Sequence, residues 1–309
     1  MHDLESLCST SQNLTEIRNS IINAIPCDPL TARGELSQKS FEDLLSIYVA
    51  WVDRFIEPRK RTPIAWPGLW SEGAKRHRKQ IHNLAELSAS GGDFTPFLSP
   101  RILTCGFAPL SINRRGITLD DKDRALNAYG VHHLHLSPGN GRGKRKGSSD
   151  ELLFVKIRRD CMVFLMLGTH RSFDDGTLRQ AVADFERLSG NYVRTIFGSN
   201  MTRCAAEGED LLRKGLNSFA HSGGHFVVPG MISSNLTSEE HLRHTDMMLE
   251  AIETWEPLIR TGKGRQELCE EYNVPFNPEL TFAWSVIYTS LCLVEVESGR
   301  AVFVIPSIR

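Results

Sequence analysis

Imidazole side chains recur at every second residue near the middle of this chain. His133 and His135 alternate with Leu134 and Leu136, and residues two apart in a strand project to the same face. Imidazole titrates near neutral pH, so two neighbouring histidines could act as general acid and general base. The spacing therefore predicts a proton-transferring pair on one face of a sheet; the alternative is two solvated residues on an exposed face.

Cationic side chains follow in the next predicted strand. Lys156 and Arg158 share one face of the segment ELLFVKIRRD, where they could hold a phosphate and stabilise charge on its phosphorus. The alternative is that an edge strand carries charges to prevent pairing between sheets. A third, apolar strand over residues 161–167 is followed at once by His170 and Arg171. Catalytic side chains often lie at such strand ends beside loops.

Two further groups of basic residues flank these strands. Flexible basic groups contact phosphates without reading base sequence, and a solvated loop is the equally good alternative. The candidate nucleic-acid-binding residues are Arg142, Lys144, Arg145 and Lys146, in a Gly- and Ser-rich stretch between the first two strands, and Arg114 and Arg115 ahead of the sheet.

Helical patterns surround the strands. Apolar residues recur at helical spacing in residues 15–25, 37–57, 70–87, 120–129, 177–197, 205–219 and 238–259. The proline-rich residues 58–68 are predicted to be a connection, and two strands within 283–297 and 301–305 are predicted to close the chain. The predicted fold class is α+β, with a helical N-terminal region, a central antiparallel sheet and a helical C-terminal region closed by a β-hairpin. The predicted domains are residues 1–98, 99–175 and 176–309.

Charge is distributed unevenly along the 309 residues, although the net charge is only −1. Residues 99–175 carry 13 Lys and Arg against 8 Asp and Glu, whereas residues 176–309 carry 12 against 17. A local positive field favours a polyanionic partner. There is no apolar run of about 18 residues, no secretory leader pattern and no CxxC pair among seven cysteines. These features predict a cytoplasmic protein without a membrane segment, a disulfide framework or a zinc ribbon.

The segments VHHLHLS, GRGKRKG, ELLFVKIRRD and VFLMLGTHRSF together resemble the core of RelE/HigB-type toxin ribonucleases. In that family, helices lead into an antiparallel sheet with a basic loop, a strand bearing Arg or Lys near its end and an apolar strand closed by a basic motif. The resemblance covers residues 129–175; the flanking helical segments have no counterpart in the family. It implies metal-independent RNA cleavage, an antitoxin or another protein as partner, and phosphate-binding and acid–base roles for Lys156, Arg158 and His170, with His133 or His135 as the second acid–base group.

The leading interpretation is therefore a metal-independent endoribonuclease of toxin or defence type that uses no cofactor. One alternative is a non-catalytic module that binds nucleic acid or protein through the basic face. Another is a metal-dependent hydrolase, because imidazole is a common zinc ligand. Its ligands would be His221, His225, His241 and His244, of which the last two share a helix face at i, i+3.

Overall fold

The computed structural model describes residues 7, 10–27, 30–70, 72–109, 111–113, 116–118, 121–139, 150–193 and 204–309. The chain divides into two compact units. The first contains residues 1–53, 103–121 and 240–308, and the second contains residues 54–102, 122–239 and 309. Each unit combines separated stretches of sequence, and its limits do not coincide with residues 98 and 175.

The described helices and strands are numbered here in chain order. The helices are α1 (Gln12–Ala24), α2 (Leu30–Ser37), α3 (Phe41–Val52), α4 (Glu72–Arg76), α5 (Arg78–Ser90), α6 (Arg124–Tyr129), α7 (Thr177–Leu188), α8 (Ala205–Arg213), α9 (Glu239–Ile259) and α10 (Gly262–Glu271). The strands are β1 (Thr62–Ala65), β2 (Ser111–Asn113), β3 (Gly116–Thr118), β4 (Val131–His135), β5 (Glu151–Ile157), β6 (Cys161–Thr169), β7 (Ala220–Ser222), β8 (His225–Val227), β9 (Phe282–Ile287), β10 (Ser290–Glu295) and β11 (Ala301–Ile305). The chain is thus a mixture of helices and strands.

The second unit contains a four-stranded sheet in the order β1-β6-β5-β4. Strands β4, β5 and β6 pair antiparallel, as predicted. Strand β1 pairs with β6 in parallel, so the sheet is mixed and the prediction of a wholly antiparallel sheet is wrong.

Strand β1 lies in the proline-rich stretch that was predicted to be a connection. The amides of Thr62 and Trp66 donate to the carbonyls of Asp160 and Phe164, at 2.8 and 2.9 Å. Because a parallel strand bonds one neighbour through alternate residues, the nitrogen of Pro63 faces away from β6. Proline is tolerated at such edge positions. The prediction was wrong because it took the prolines of this stretch as evidence against a strand.

Helices cover both faces of this sheet. The apolar side chains of α5 pack on one face, with Ile81 and Leu84 against Leu134, Val155 and Phe164. The apolar side chains of α7 pack on the other, with Leu178 and Phe185 among the residues around Phe154. Strand β6 has a neighbour on each side and a helical layer on each face, which accounts for its continuous apolar sequence.

The first unit combines helices with a three-stranded antiparallel sheet in the order β11-β10-β9. Helix α1 packs against α3 and β9. Residues 283–297 were predicted to contribute one strand, but they take part in two, and the reversal between them contains Tyr288 at φ 51°. Hairpin turns are usually recognised by Gly, Asn or Asp at the positions with positive φ. Tyr288 is none of these, so the turn could not be recognised from the sequence. The predicted two-stranded closure is therefore a three-stranded sheet.

Most predicted helices are present but shorter than predicted. Helix α3 ends at Val52, and the pattern over 70–87 is divided between α4 and α5. Helix α7 ends at Leu188, shortly before Gly190 at φ 87°, and residues 194–197 of its predicted span lie outside the described residues. Within the described ranges, no helix is both long and apolar enough to cross a bilayer.

Two buried histidines of α9 belong to the first unit. Nε2 of His241 lies 2.9 Å from Oδ2 of Asp53, and Nε2 of His244 lies 2.5 Å from the carbonyl oxygen of Thr289. Burial lowers the pKa of His244, and the nearby charges of Asp53 and Glu240 oppose this effect, whereas that of His241 adds to it. The imidazole of His244 is thus held in its neutral form.

We expect this burial to make the first unit less stable in mild acid. The unfolded state binds a proton at His244 near pH 6.5, whereas the folded state resists it, so stability is complete above about pH 6.5 and falls as the pH drops below it. Urea unfolding at pH 7.5 and 5.5 should show this loss. His244→Gln, which cannot titrate, should show a smaller difference between the two pH values; an equal difference would contradict the assignment.

Candidate active site

Three of the predicted catalytic histidines lie together on the α7 face of the sheet. The ring centroid of His135 lies 6.4 Å from that of His133 and 6.4 Å from that of His170. His133 and His135 are half-buried and His170 is exposed. Phe173 contacts two of the rings, with centroids 5.4 Å from His133 and 6.0 Å from His170. The histidine cluster, defined as His133, His135 and His170, therefore runs from the sheet to the surface.

A tight turn after β6 positions His170. Residues His170–Phe173 form a 3₁₀ turn in which the hydroxyl of Thr169 accepts from the amide of Arg171, and the hydroxyl of Ser172 accepts from the amide of Thr169. A Cβ at Gly168 would lie 2.6 Å from Oγ of Ser172 and 3.0 Å from Phe154. Only glycine at this position lets the turn fold back this closely onto the sheet.

Asp123 lies behind the cluster and has two contacts. Its Oδ1 accepts from the amide of Leu126 at 3.1 Å, which caps the N-terminus of α6. Its Oδ2 lies 3.5 Å from Nδ1 of His133, and this nitrogen makes no hydrogen bond within the described part of the chain. Asp123 therefore places a carboxylate beside the ring of His133 while it caps the helix.

Two substitutions at Asp123 should separate these contacts. We expect Asp123→Ala to lower the free energy of unfolding by about 1 kcal/mol, because the helix cap is lost. Asp123→Asn retains a capping side chain and should leave stability close to that of the wild type, while removing the charge beside His133. Chemical denaturation of both variants provides the measurement. Equal destabilisation by Asn and Ala would show that the charge, and not the cap, supports the fold.

Lys156 and Arg158 lie on the same face but interact with α7. The ammonium of Lys156 pairs with Glu186, and it lies 5.5 Å from the ring centroid of Phe185. Asn191 also donates to Glu186, at 2.7 Å. The guanidinium of exposed Arg158 lies 5.6 Å from the same ring. The predicted phosphate-binding lysine is thus largely buried in an ion pair.

The remaining cationic candidates are divided between the surface and undescribed segments. Arg171 is exposed beside His170. Arg114, Arg115, Arg142, Lys144, Arg145 and Lys146 lie outside the described residues. Strand β4 ends at His135 and β5 begins at Glu151, both at the end of the sheet that carries the cluster. Arg142, Lys144, Arg145 and Lys146 lie between these two strands in the sequence.

The four histidines considered as metal ligands are divided between the two units. His221 and His225 belong to the second unit, where His221 is exposed and His225 packs on Tyr192 with centroids 4.3 Å apart. His241 and His244 are buried in the first unit and bonded as described above. Among the residues that the structure describes, no group of three or more His, Cys, Asp or Glu side chains could hold a metal ion.

Three residues of the site were not predicted. Asp123 is the first. Asp is a preferred N-cap residue, but the helix was predicted to begin at residue 120, which placed Asp123 inside it rather than at its cap. Phe173 and Glu186 are the others, and neither stands in a pattern that distinguishes it from ordinary core or surface residues. Their roles depend on the turn after β6 and on which face of the sheet α7 covers.

Comparison with known proteins adds no assignment: no family model, no curated protein and no solved structure matches this chain. The geometry of the site is therefore the basis for its chemistry. That geometry provides three adjacent imidazoles, one of them beside a carboxylate, next to a surface arginine. Such a group of side chains could accept a proton at one place and donate a proton at another.

Proposed function

We propose that this chain is a metal-independent endoribonuclease of toxin or defence type that acts at the histidine cluster. The observation that carries the proposal is the placement of His135 between His133 and His170, with both centroid distances at 6.4 Å. Rings so close are within reach of one phosphodiester and its two flanking oxygens. The resemblance of residues 129–175 to RelE/HigB-type ribonucleases favours the same class of substrate.

The proposed reaction needs only proton transfer and charge. A neutral imidazole accepts the proton of a ribose 2′-hydroxyl, whose oxygen then bonds to the adjacent phosphorus. The bond from phosphorus to the 5′-oxygen breaks, and a protonated imidazole donates its proton to that oxygen. The products are a 2′,3′-cyclic phosphate and a 5′-hydroxyl. Each proton transfer contributes roughly 10²–10⁴ to the rate, and positioning contributes much of the remainder.

His135 and His170 are the groups we assign to these two transfers. His170 is exposed and His135 is its immediate neighbour, so a bound strand could contact both. His133 lies beside Asp123 and its ring contacts that of His135, so we assign it to orienting His135. The two proton transfers at His135 and His170 are the acid–base roles expected for imidazoles from the sequence.

Charge neutralisation is assigned to Arg171 and to the basic residues that lie between β4 and β5 in the sequence. Arg171 follows His170 directly, and arginine suits bidentate contact with phosphate. The basic residues between the two strands are Arg142, Lys144, Arg145 and Lys146. Lys156 is left out of this role, because its ammonium is already paired with Glu186 in a largely buried position.

The test is RNA cleavage in the presence of EDTA by the full chain. We expect the wild type to cleave single-stranded RNA and the triple variant His133→Ala, His135→Ala, His170→Ala to be inactive. His221→Ala is the matched control, because it removes an exposed histidine of the same unit. Undiminished activity of the triple variant would overturn the proposal.

Expression in growing cells tests the toxin or defence role separately. The wild type should arrest growth and the triple variant should not. Salt-sensitive RNA binding without cleavage by the wild type would instead favour the non-catalytic binding module.

A further inference from the structure

A second concave surface lies on the opposite face of the same sheet. It is a groove of about 580 Å³, within the size range of small-ligand sites. We name it the α5 groove; its lining includes Ala65 and Phe164 of the sheet, Trp70, and Arg78, Lys79 and His82 of α5. The histidine cluster is on the α7 face, so the two surfaces are separate.

The charge of the α5 groove is positive. Among the described residues, its lining contains Arg78, Lys79 and His82 and no acidic residue. His82 pairs with Glu86 at 3.3 Å, whereas Arg78 and Lys79 form no ion pair with any other described residue and are exposed. Two unpaired cations beside a concave surface favour an anionic ligand.

The position of these cations in α5 is unfavourable for the helix itself. Arg78 and Lys79 occupy its first turn, where the helix macrodipole is positive and acidic residues are stabilising. The N-cap residue His77 forms no capping bond with its side chain, and its ring contacts Glu151 at 2.5 Å. Helix stability therefore does not explain two basic residues here, whereas binding of an anion does.

The groove also offers an aromatic surface. Trp70 is 43% exposed, although burying its indole would remove a large apolar surface from water. The floor beside it is apolar and includes Ala65 and Phe164. An exposed indole next to cations is a combination that binds a base by stacking and its phosphate by charge.

We propose that the α5 groove binds a nucleotide, with its base on Trp70 and its phosphate on Arg78 and Lys79. The ligand chemistry is the same for a free nucleotide and for one nucleotide of a single strand. The site does not depend on the histidine cluster, and neither Trp70 nor the two cations takes part in the proposed cleavage reaction.

Calorimetric titration with three ligands tests the site: AMP, adenosine and an octamer of 2′-O-methyl adenylate, which cannot undergo cleavage through its 2′-oxygen. Trp70→Ala should weaken binding of AMP or the octamer roughly 5- to 100-fold. Arg78→Ala combined with Lys79→Ala should weaken the phosphate-bearing ligands and leave adenosine unchanged. The control Lys75→Ala with Arg101→Ala removes the same charge from residues outside the lining and should have a smaller effect.

The outcomes distinguish a free nucleotide from a nucleotide within a strand, and binding in the α5 groove from cleavage at the histidine cluster. AMP binding as tight as octamer binding identifies a free nucleotide as the ligand, and binding of the octamer alone identifies a nucleotide within a strand. Binding that is absent, or equal in the groove variants and the control, overturns the site. The triple histidine variant should bind AMP and adenosine as the wild type does, so loss of cleavage and loss of nucleotide binding are distinguishable.

Discussion

His170→Ala should lower the rate of RNA cleavage by about 10²–10⁴-fold, the usual contribution of one general acid or base. His135→Ala should have an effect of the same size. His170 is exposed at the surface, so its removal should leave the free energy of unfolding within about 0.5 kcal/mol of the wild type. Single-turnover cleavage in EDTA at saturating enzyme measures the chemical step for each variant.

The double variant distinguishes two cooperating imidazoles from two independent contributions. Residues that act in one reaction are strongly non-additive, so the double variant should be only slightly slower than the worse single variant. His221→Ala, an exposed histidine remote in sequence, should cleave at the wild-type rate. Rates within twofold of the wild type for both single variants would exclude the cluster as the site of reaction.

Lys156→Met should destabilise the protein by about 3 kcal/mol, because it leaves the carboxylate of Glu186 buried without its cation. Only 17% of the Lys156 side chain and 9% of the Glu186 side chain is exposed, so solvent screens the pair weakly. The bond from Asn191 to Glu186 remains, which places the expected loss at the lower end for a broken buried pair. Urea unfolding provides the measurement.

Two control variants test whether the loss of stability comes from the unpaired carboxylate of Glu186. The double variant Lys156→Met, Glu186→Leu removes both charges and should recover most of the stability, since an apolar pair replaces buried ions with little cost. Arg158→Met, on the same face but exposed, should change stability by less than about 0.5 kcal/mol. A Lys156→Met variant with wild-type stability and no RNA cleavage would contradict the structural role and restore Lys156 as a phosphate ligand.

The alternation of His133 and His135 with leucines was sufficient to predict their common face. Strand β4 is an edge strand, and one of its faces packs in the core between the sheet and α5. In such strands apolar and polar residues alternate clearly. The apolar run of β6 predicted burial equally well. The proximity of His170 to His135 followed from the pairing of β4, β5 and β6, which local sequence patterns indicated correctly.

The environment of Lys156 could not be predicted in the same way. A period of two identifies which residues share a face, but it does not identify whether solvent or a helix covers that face. Glu186 lies 30 residues further along the chain, and its pairing with Lys156 depends on how α7 packs. Strand β1 was not predicted for a related reason. Proline normally indicates the absence of a strand, and only the structure shows that the nitrogen of Pro63 points to the free edge of the sheet.

Removal of one oxygen from the substrate tests the proposed reaction most directly. The oligonucleotide would carry a single ribonucleotide at the cleaved linkage, and its partner would carry a 2′-deoxynucleotide there, both assayed with the wild-type chain in EDTA. We predict cleavage of the first substrate to a 2′,3′-cyclic phosphate and a 5′-hydroxyl, and no cleavage of the second. Cleavage of the deoxy substrate, or no cleavage of either, would contradict acid–base attack by the 2′-hydroxyl at the histidine cluster.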